Sequence, residues 1–330
     1  MSSRFIISYI LFIVVVSVGF WFAGNTLAPI GSQATISQFK ITSGESVFSI
    51  AQNLRKQNLI SSRTIFVTYS IFSGSYNDFK PGIYGLKTPL SVKSLIAILT
   101  SGPQDVSVVI IPGMTLKEID KTLSDNGICE KGSIESFNPT IIKSTYSFLE
   151  GVKNLEGFLM PDTYRFQPGS DTIQVVSIIL ENFSKKLNDS KISPKNIYKA
   201  VITASLIEKE VITKEDKKLV AGIIQKRISI GMPLQIDASV IYAVCNGTFL
   251  LCDKELGKKD FSFDSPYNTY LYKGLPPAPI SNPTLDSISA AINPQKSNYL
   301  YYLSDPKTSK TIFSATLEEH SKNRAKYLGL

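Results

Sequence analysis

The sequence predicts an α+β fold: an N-terminal transmembrane helix, a βα region of repeated strand–helix units, and a mostly helical C-terminal domain with a small β-sheet. Three observations carry the prediction. Residues 5–23 form an uncharged apolar run. Between residues 38 and 125, short alternating segments are followed by turn residues and then by apolar positions at helical spacing. From about Leu155 longer runs with helical spacing take over, and aromatic strand-like segments return only near the end.

The apolar run, FIISYILFIVVVSVGFWFA, is long enough to span a bilayer, which takes ~20 apolar residues as a helix. Arg4 precedes it, and Trp21 sits at its far end where an interfacial aromatic is expected. A cleaved signal peptide is the alternative, with Thr26-Leu27-Ala28 as a weak cleavage site. The run exceeds the roughly 7–15 residues of a signal core, which favours an uncleaved anchor. Residues 1–4 are then cytoplasmic, 5–24 are the anchor, and 25–37 are a small, polar linker. Everything that follows lies outside the cytoplasm, which makes ATP-dependent chemistry improbable.

Phe39-Lys40-Ile41 alternates like a short strand, Ser43–Ser46 is a turn ending in a capping serine, and Val47, Ile50, Ala51 and Leu54 follow as one helix face. FKPGIYGLKTPLSVKSLIAILTSG repeats the logic more loosely, and residues 38–105 are read as one subdomain. A second strand–helix region covers 106–150: strand Val106–Ile111, turn Pro112-Gly113, cap Thr115, and a helix with Leu116, Ile119 and Leu123. The domain 151–330 opens on LEGFLMPDTYRF. Helices are expected over Ile173–Leu187, from Pro194 and through Tyr198–Glu210, over Lys217–Ile230 up to Gly231, and over Ile236–Val244. YLYYLSD reads as a strand, with TIFSA from Thr311 as its hairpin partner.

Composition removes most chemistries. The chain carries a net charge of +8 and a pI near 9.1, which favours anionic partners. Its basic residues are scattered, so nucleic acid is not an expected partner. His320 is the only histidine, and the cysteines Cys129, Cys245 and Cys252 form no CxxC pair, so no metal site and no cofactor are expected. No GxSxG elbow, GxxxxGK[ST] loop or GxGxxG turn is present. Cys245 and Cys252 flank NGTFLL, read as a hairpin loop, and can bridge in an oxidising space; three unpaired thiols are the equal alternative.

Carboxylates, tyrosines and amides remain. ASLIEKE places Glu208 and Glu210 two residues apart, ~200° around a helix, so one faces the protein and one faces away. Glu210 stacks over Leu206, Ile207 and Ile202, the bulkier surround, which would raise its pKa and suit a general acid. Two solvated glutamates in a charge run are the bland alternative. Glu156, Asp162, Gln235, Asp237 and Tyr242, with the loop Tyr267, Asn268, Thr269 and Tyr270, are candidates for holding a sugar: rings stack on apolar faces and amides bind hydroxyls. Turn chemistry is the competing reading of that loop and of PPAPISNP.

Two resemblances sharpen this picture. GESVFSIAQNL resembles the start of a LysM module, a carbohydrate-binding unit of bacterial walls, which makes 38–105 a LysM-like subdomain; a generic capped helix is the alternative. EGFLMPDTYRF, ASLIEKE, GMPLQIDASVIYAV, SPYNTYLYKGLPPAPISNPTLDSISAAINP and YLYYLSD, in this order, resemble the membrane-anchored endolytic murein transglycosylase family, YceG-like, over nearly the whole chain. The departures are Val211 after EKE, where the family has Thr or Ala, and a short loop after Tyr242 that carries the two cysteines. The resemblance implies a catalytic domain at 151–330 and Glu210 as the catalytic glutamate. It implies cleavage of the MurNAc–GlcNAc bond of peptidoglycan strands to leave 1,6-anhydro-MurNAc ends, with a role in limiting nascent strand length. It also implies an inner-membrane, single-pass location with a periplasmic catalytic domain. Glycan strands are the implied partner and peptidoglycan synthases are further candidates. The rival readings are a non-catalytic wall-binding scaffold and a hydrolytic muramidase, which would need a second carboxylate, Asp237 or Glu156.

Overall fold

The computed structural model describes residues 3–29, 36–193, 197–250, 252 and 256–329. The start of the helix expected at Pro194 lies outside them. The chain divides into two units, one made of residues 1–106, 126–128 and 165–170, the other of 107–125, 129–164 and 171–330.

In the first unit, α1 (Ser3–Leu27) includes a stretch, Ile7–Leu27, with a mean hydropathy of 2.2 and side chains exposed up to Trp21, long and apolar enough to cross a membrane. Helix therefore replaces the first three residues of the expected linker, and residues 30–35 lie outside the described part. β1 (Ile36–Ile41), α2 (Val47–Lys56), α3 (Arg63–Phe72), β2 (Gly82–Lys87) and α4 (Val92–Ser101) follow. β1 and β2 pair antiparallel, with Phe39 opposite Tyr84 and Ile41 opposite Gly82. α2, α3 and α4 each start on a serine whose hydroxyl accepts a backbone N–H three residues on: Ser46 from Ser49, Ser62 from Ile65 and Ser91 from Ser94. The faces they present, Val47, Ile50, Ala51 and Leu54 from α2, Ile65 and Phe66 from α3, and Val92, Leu95, Ile96 and Leu99 from α4, close a core over Phe39, Tyr84 and Leu86. α3 is absent from the sequence prediction. Its composition, RTIFVTYSIF, is rich in β-branched and aromatic residues that favour strands locally, and the cap and the packed face decide otherwise.

In the second unit, which takes all of β3 (Val106–Ile110) but its first residue and β4 (Asp162–Phe166) up to Tyr164, β3 leads to α5 (Leu116–Asp125), and β4, the neighbour of β3, follows a stretch of turns. Then come α6 (Thr172–Asp189), α7 (Tyr198–Glu210), α8 (Lys214–Ser229), α9 (Asp237–Val244), α10 (Leu285–Ile292), β5 (Tyr301–Ser304), β6 (Thr311–Ser314) and α11 (Leu317–Leu328). The expected β5–β6 hairpin is present, with Tyr302 opposite Phe313. α8 begins three residues earlier than the apolar spacing indicates, because Thr213 caps it. α10 and α11 are absent from the sequence prediction; they start on Thr284 and Thr316 caps.

Residues 107–125 and 129–150, expected as a region of their own, belong with the C-terminal part. Hydrogen bonds explain this: Gly113 donates to the Asn282 carbonyl at 3.0 Å and Asn282 donates back to the Met114 carbonyl at 2.8 Å. α7 is the centre of the unit and is buried on several sides by α8, α9 and α10. Ser205 on it accepts from the Ile280 N–H at 3.0 Å and so seats the 279–282 segment. Gly157 meets this arrangement at φ +88°, where an added Cβ would lie 2.7 Å from Pro279 and from Val201. Gly157→Ala is therefore expected to lower stability by roughly 1–3 kcal/mol or more, read as a lower urea midpoint.

Candidate active site

Glu210 closes α7 at a half-buried position. The Tyr302 hydroxyl, from β5, donates to its Oε2 at 2.9 Å. Burial pushes the Glu210 carboxyl up to about 7; the Tyr302 hydrogen bond opposes this, Asp237 adds to it by like charge, and Arg227 opposes it. Asp237 opens α9, is exposed, and accepts from the Tyr270 hydroxyl at 2.5 Å. Arg227 on α8 is buried, with its Nε on the Leu300 carbonyl at 2.7 Å and Nη1 on the Leu234 carbonyl at 2.6 Å. Acid, hydroxyls, carboxylate and cation thus come together from α7, α8, α9, β5 and the loop after Ser265. A carboxyl with a pKa near 7 is poised to give up a proton and take one back at neutral pH.

Neither glutamate of the EKE run faces away into water. The Glu208 side chain is 7% exposed and pairs with Lys217, 6% exposed, at 3.2 Å. Its Oε2 also accepts from the Thr284 N–H at 2.9 Å, the Thr284 hydroxyl at 2.7 Å and the Ser287 hydroxyl at 2.6 Å. Glu208 is thereby spent on the start of α10, where a helix N-terminus favours negative charge.

A second cluster surrounds Glu156, which is 2% exposed. The Leu116 N–H reaches both its oxygens at 3.0 Å, Asn282 Nδ2 donates to Oε1 at 3.0 Å, and the Tyr242 hydroxyl donates to Oε2 at 3.1 Å. Burial pushes its carboxyl up to about 8. With Tyr242, Tyr267, Asn154 and Lys117 it lines a cavity of about 340 Å³.

The remaining candidates are placed as follows. Gln235 is exposed, at φ +51°, with its N–H on the Thr269 carbonyl at 3.1 Å. Asn268 and Thr269 are 0% and 1% exposed, which revises the sugar-holding place read for them. Asn268 Nδ2 is used on the Phe261 and Phe263 carbonyls, and Thr269 Oγ1 accepts from the Ile236 N–H at 2.9 Å. They fix the loop that presents Tyr267 and Tyr270. Asp162 pairs with Lys186 at 2.8 Å and accepts from Asn182, which holds its carboxyl down at about 2; it belongs to the β4–α6 join. Cys245 and Cys252 form a disulfide and Cys129 is free. The bridge does not span a hairpin: Cys245 N–H bonds back to Ile241 O and Gly247 N–H to Tyr242 O, so the loop is the end of α9. Glu118, 3% exposed, holds this loop by accepting from Thr248 Oγ1 at 2.8 Å and from the Phe249 and Leu250 N–H groups.

Sequence reasoning missed Tyr302, Arg227 and Asn282. Tyr302 stood inside the aromatic strand YLYYLSD without a role. Arg227 had a usable signal, a cation between Ile224 and Ile228 on an apolar helix face, where an unpaired charge is costly. Asn282 had none beyond its turn-like setting.

The YceG-like family pattern matches residues 39–326. An endolytic murein transglycosylase of Bacillus subtilis (strain 168) is 30% identical over 335 aligned positions, 94% of this chain and 90% of that protein. One from Streptococcus pneumoniae serotype 2 (strain D39 / NCTC 7466) is 30% identical over 359 positions, 98% of this chain and 65% of the relative, so the chain spans less than two thirds of the pneumococcal protein. The crystal structure of a YceG-like protein from Listeria monocytogenes is 28% identical, with a TM-score of 0.51 over 88% of this chain and 100% of that one. With the family pattern covering all but residues 1–38 and 327–330, the chain belongs to the YceG-like family.

Proposed function

We propose that the chain is a membrane-anchored endolytic murein transglycosylase. It cleaves the MurNAc–GlcNAc bond within peptidoglycan strands, leaves 1,6-anhydro-MurNAc ends, and so limits the length of nascent strands. The observation that carries this reading is Glu210, a reachable carboxyl whose burial sets its proton near neutrality. As an acid it protonates the glycosidic oxygen. As the resulting carboxylate it accepts the proton of the muramic C6 hydroxyl while that oxygen closes on C1. One group then gives and regains one proton, and no water is consumed. The relatives' names support the activity, and the exposed apolar helix α1 supports a single-pass membrane anchor; the proposed location is the inner membrane with the catalytic unit in the periplasm. Gln235 and Asp237, both exposed, and Tyr242 and Tyr267, both lining the 340 Å³ cavity, are the proposed sugar contacts. The subdomain at 38–105, with the LysM resemblance of its first helix, is proposed to hold the glycan rather than cut it. Peptidoglycan synthases are proposed partners.

A hydrolytic muramidase is the second reading, and one observation favours it: Asp237 is exposed and its charge reaches Glu210. Glu156 is unsuited to that role, since both its oxygens are occupied by donors of the protein. The two readings differ in product. Mass spectrometry of muropeptides from digested glycan is expected to show ends lighter by one water than reducing ends. Reducing ends alone would make the chain a hydrolase.

A further inference from the structure

Among the described residues, Glu210 takes a side-chain hydrogen bond through one of its two oxygens. Tyr302 has a single hydroxyl proton and directs it at Oε2 over 2.9 Å, leaving Oε1 as the oxygen available to carry the transferable proton. The Tyr302 ring packs against the core that contains Leu206, Ile207 and Val220, and the strand that carries it is fixed at several points. Its strand pairs with β6, where Tyr302 faces Phe313. The strand's approach is fixed by Arg227, which donates to the Leu300 carbonyl at 2.7 Å, and its neighbour Tyr301 stacks on His320 of α11 at 5.2 Å.

We propose that Tyr302 is the positioning residue of the catalytic carboxyl: its hydroxyl selects Oε1 of Glu210 as the proton-bearing oxygen and stabilises the carboxylate formed after that proton is given to the glycosidic oxygen. The inference rests on the reading of Glu210 as the acid. The step is a proton transfer alone. The proton leaves Glu210 for the leaving sugar's oxygen, and a proton from the C6 hydroxyl returns to Glu210, so the residue ends as it began. The groups that act on Glu210 are Tyr302 from β5, Arg227 from α8, Asp237 from α9 and, through Asp237, Tyr270. Tyr302 and Arg227 favour the carboxylate, whereas Asp237 and burial favour the acid. Removing the hydroxyl therefore moves the pKa of Glu210 upward, and strengthening it as a donor moves the pKa downward.

The test is turnover of glycan strands as a function of pH by the full-length enzyme and its Tyr302→Phe variant, with a variant carrying 3-fluorotyrosine at position 302 as the opposite perturbation. Tyr302→Phe is expected to lower kcat about tenfold or more, since the bond lost is to a charged group. KM should change little, and the alkaline limb of the profile should move about one unit toward higher pH. Fluorotyrosine, a stronger donor of the same shape, is expected to move that limb the other way, which also covers the case of a phenylalanine variant too unstable to assay. A tyrosine with a merely structural place would change the melting temperature and leave both limbs where they are; that result overturns the proposal. Glu210→Gln separates the two levels. If it is inactive while both Tyr302 variants keep the wild-type profile, only the positioning role falls. If it still forms anhydro ends, the acid itself has been misassigned.

Discussion

Glu210→Gln is expected to fold as the parent chain does and to release no anhydromuropeptides above background. Glutamine keeps the shape, and its amide oxygen still accepts the Tyr302 hydroxyl, but no transferable proton is left. General acid–base help is worth ~10²–10⁴-fold, so the residual rate should lie below the parent by at least about that factor, measured by muropeptide release with far-ultraviolet circular dichroism as the fold control. Glu208→Gln is expected to fail differently. It strips the charge partner from Lys217, whose side chain is only 6% exposed, and weakens three bonds at the start of α10. Breaking a buried pair costs ~3–5 kcal/mol, so the protein should melt early while the fraction still folded keeps activity. A stable but inactive Glu208→Gln beside an active Glu210→Gln would invert the assignment within the EKE run.

Stability is expected to fall as pH rises from about 4.5 to about 8, and Glu156 is the largest single cause. Its carboxyl is raised from 4.5 to about 8 in the folded chain, so within that window the native state holds a proton that the unfolded state has released. The protonated group's stabilisation is complete below 4.5, declines by roughly 1.4 kcal/mol per pH unit through the window, and is flat above 8. Glu210 contributes with the same sign up to about 7. Asp162, held at about 2, acts oppositely and only in acid, and being an exposed pair it is worth little. Glu156→Gln has no proton to lose, so its urea-unfolding free energy should stay nearly level between pH 7 and 8 where the parent's declines. Parallel slopes for the two chains would place the native titration elsewhere.

Elements with a cap and a clear apolar stripe were legible in the sequence. Ser46 before Val47-Phe-Ser-Ile-Ala, Thr115 before Leu116, and the alternation of YLYYLSD each state their element locally. α3 was hidden because its residues favour strand and only the packed face chooses helix. α10 was hidden behind the proline-rich segment that precedes it. The candidate site was half legible. Glu210 and Asp237 lie in apolar or amide-rich surroundings that single them out, whereas Tyr302 and Arg227 reach Glu210 from 92 and 17 positions away, distances at which periodicity carries no information. Asn268 and Thr269 looked like ligand contacts because a buried amide and an exposed one read alike in a sequence. Glu156 stands out in the sequence by its chemistry, and only folding shows how many donors converge on it.

The three charges that end α7 are each moored to a different element. Glu208 goes to the start of α10, Lys209 lies 3.8 Å over the Phe249 ring in the disulfide loop, and Glu210 goes to the β5 strand. Successive helix residues point ~100° apart, so the helix end works as an indexed shaft whose angular setting is checked at three points. Deleting or inserting one residue within α7 would turn the shaft by that angle and present each charge to the wrong mooring, even with every side chain chemically intact. Exchanging residues one for one is thus the only route by which this segment can vary, and changes of length must be absorbed in the loops that bring the moorings to it.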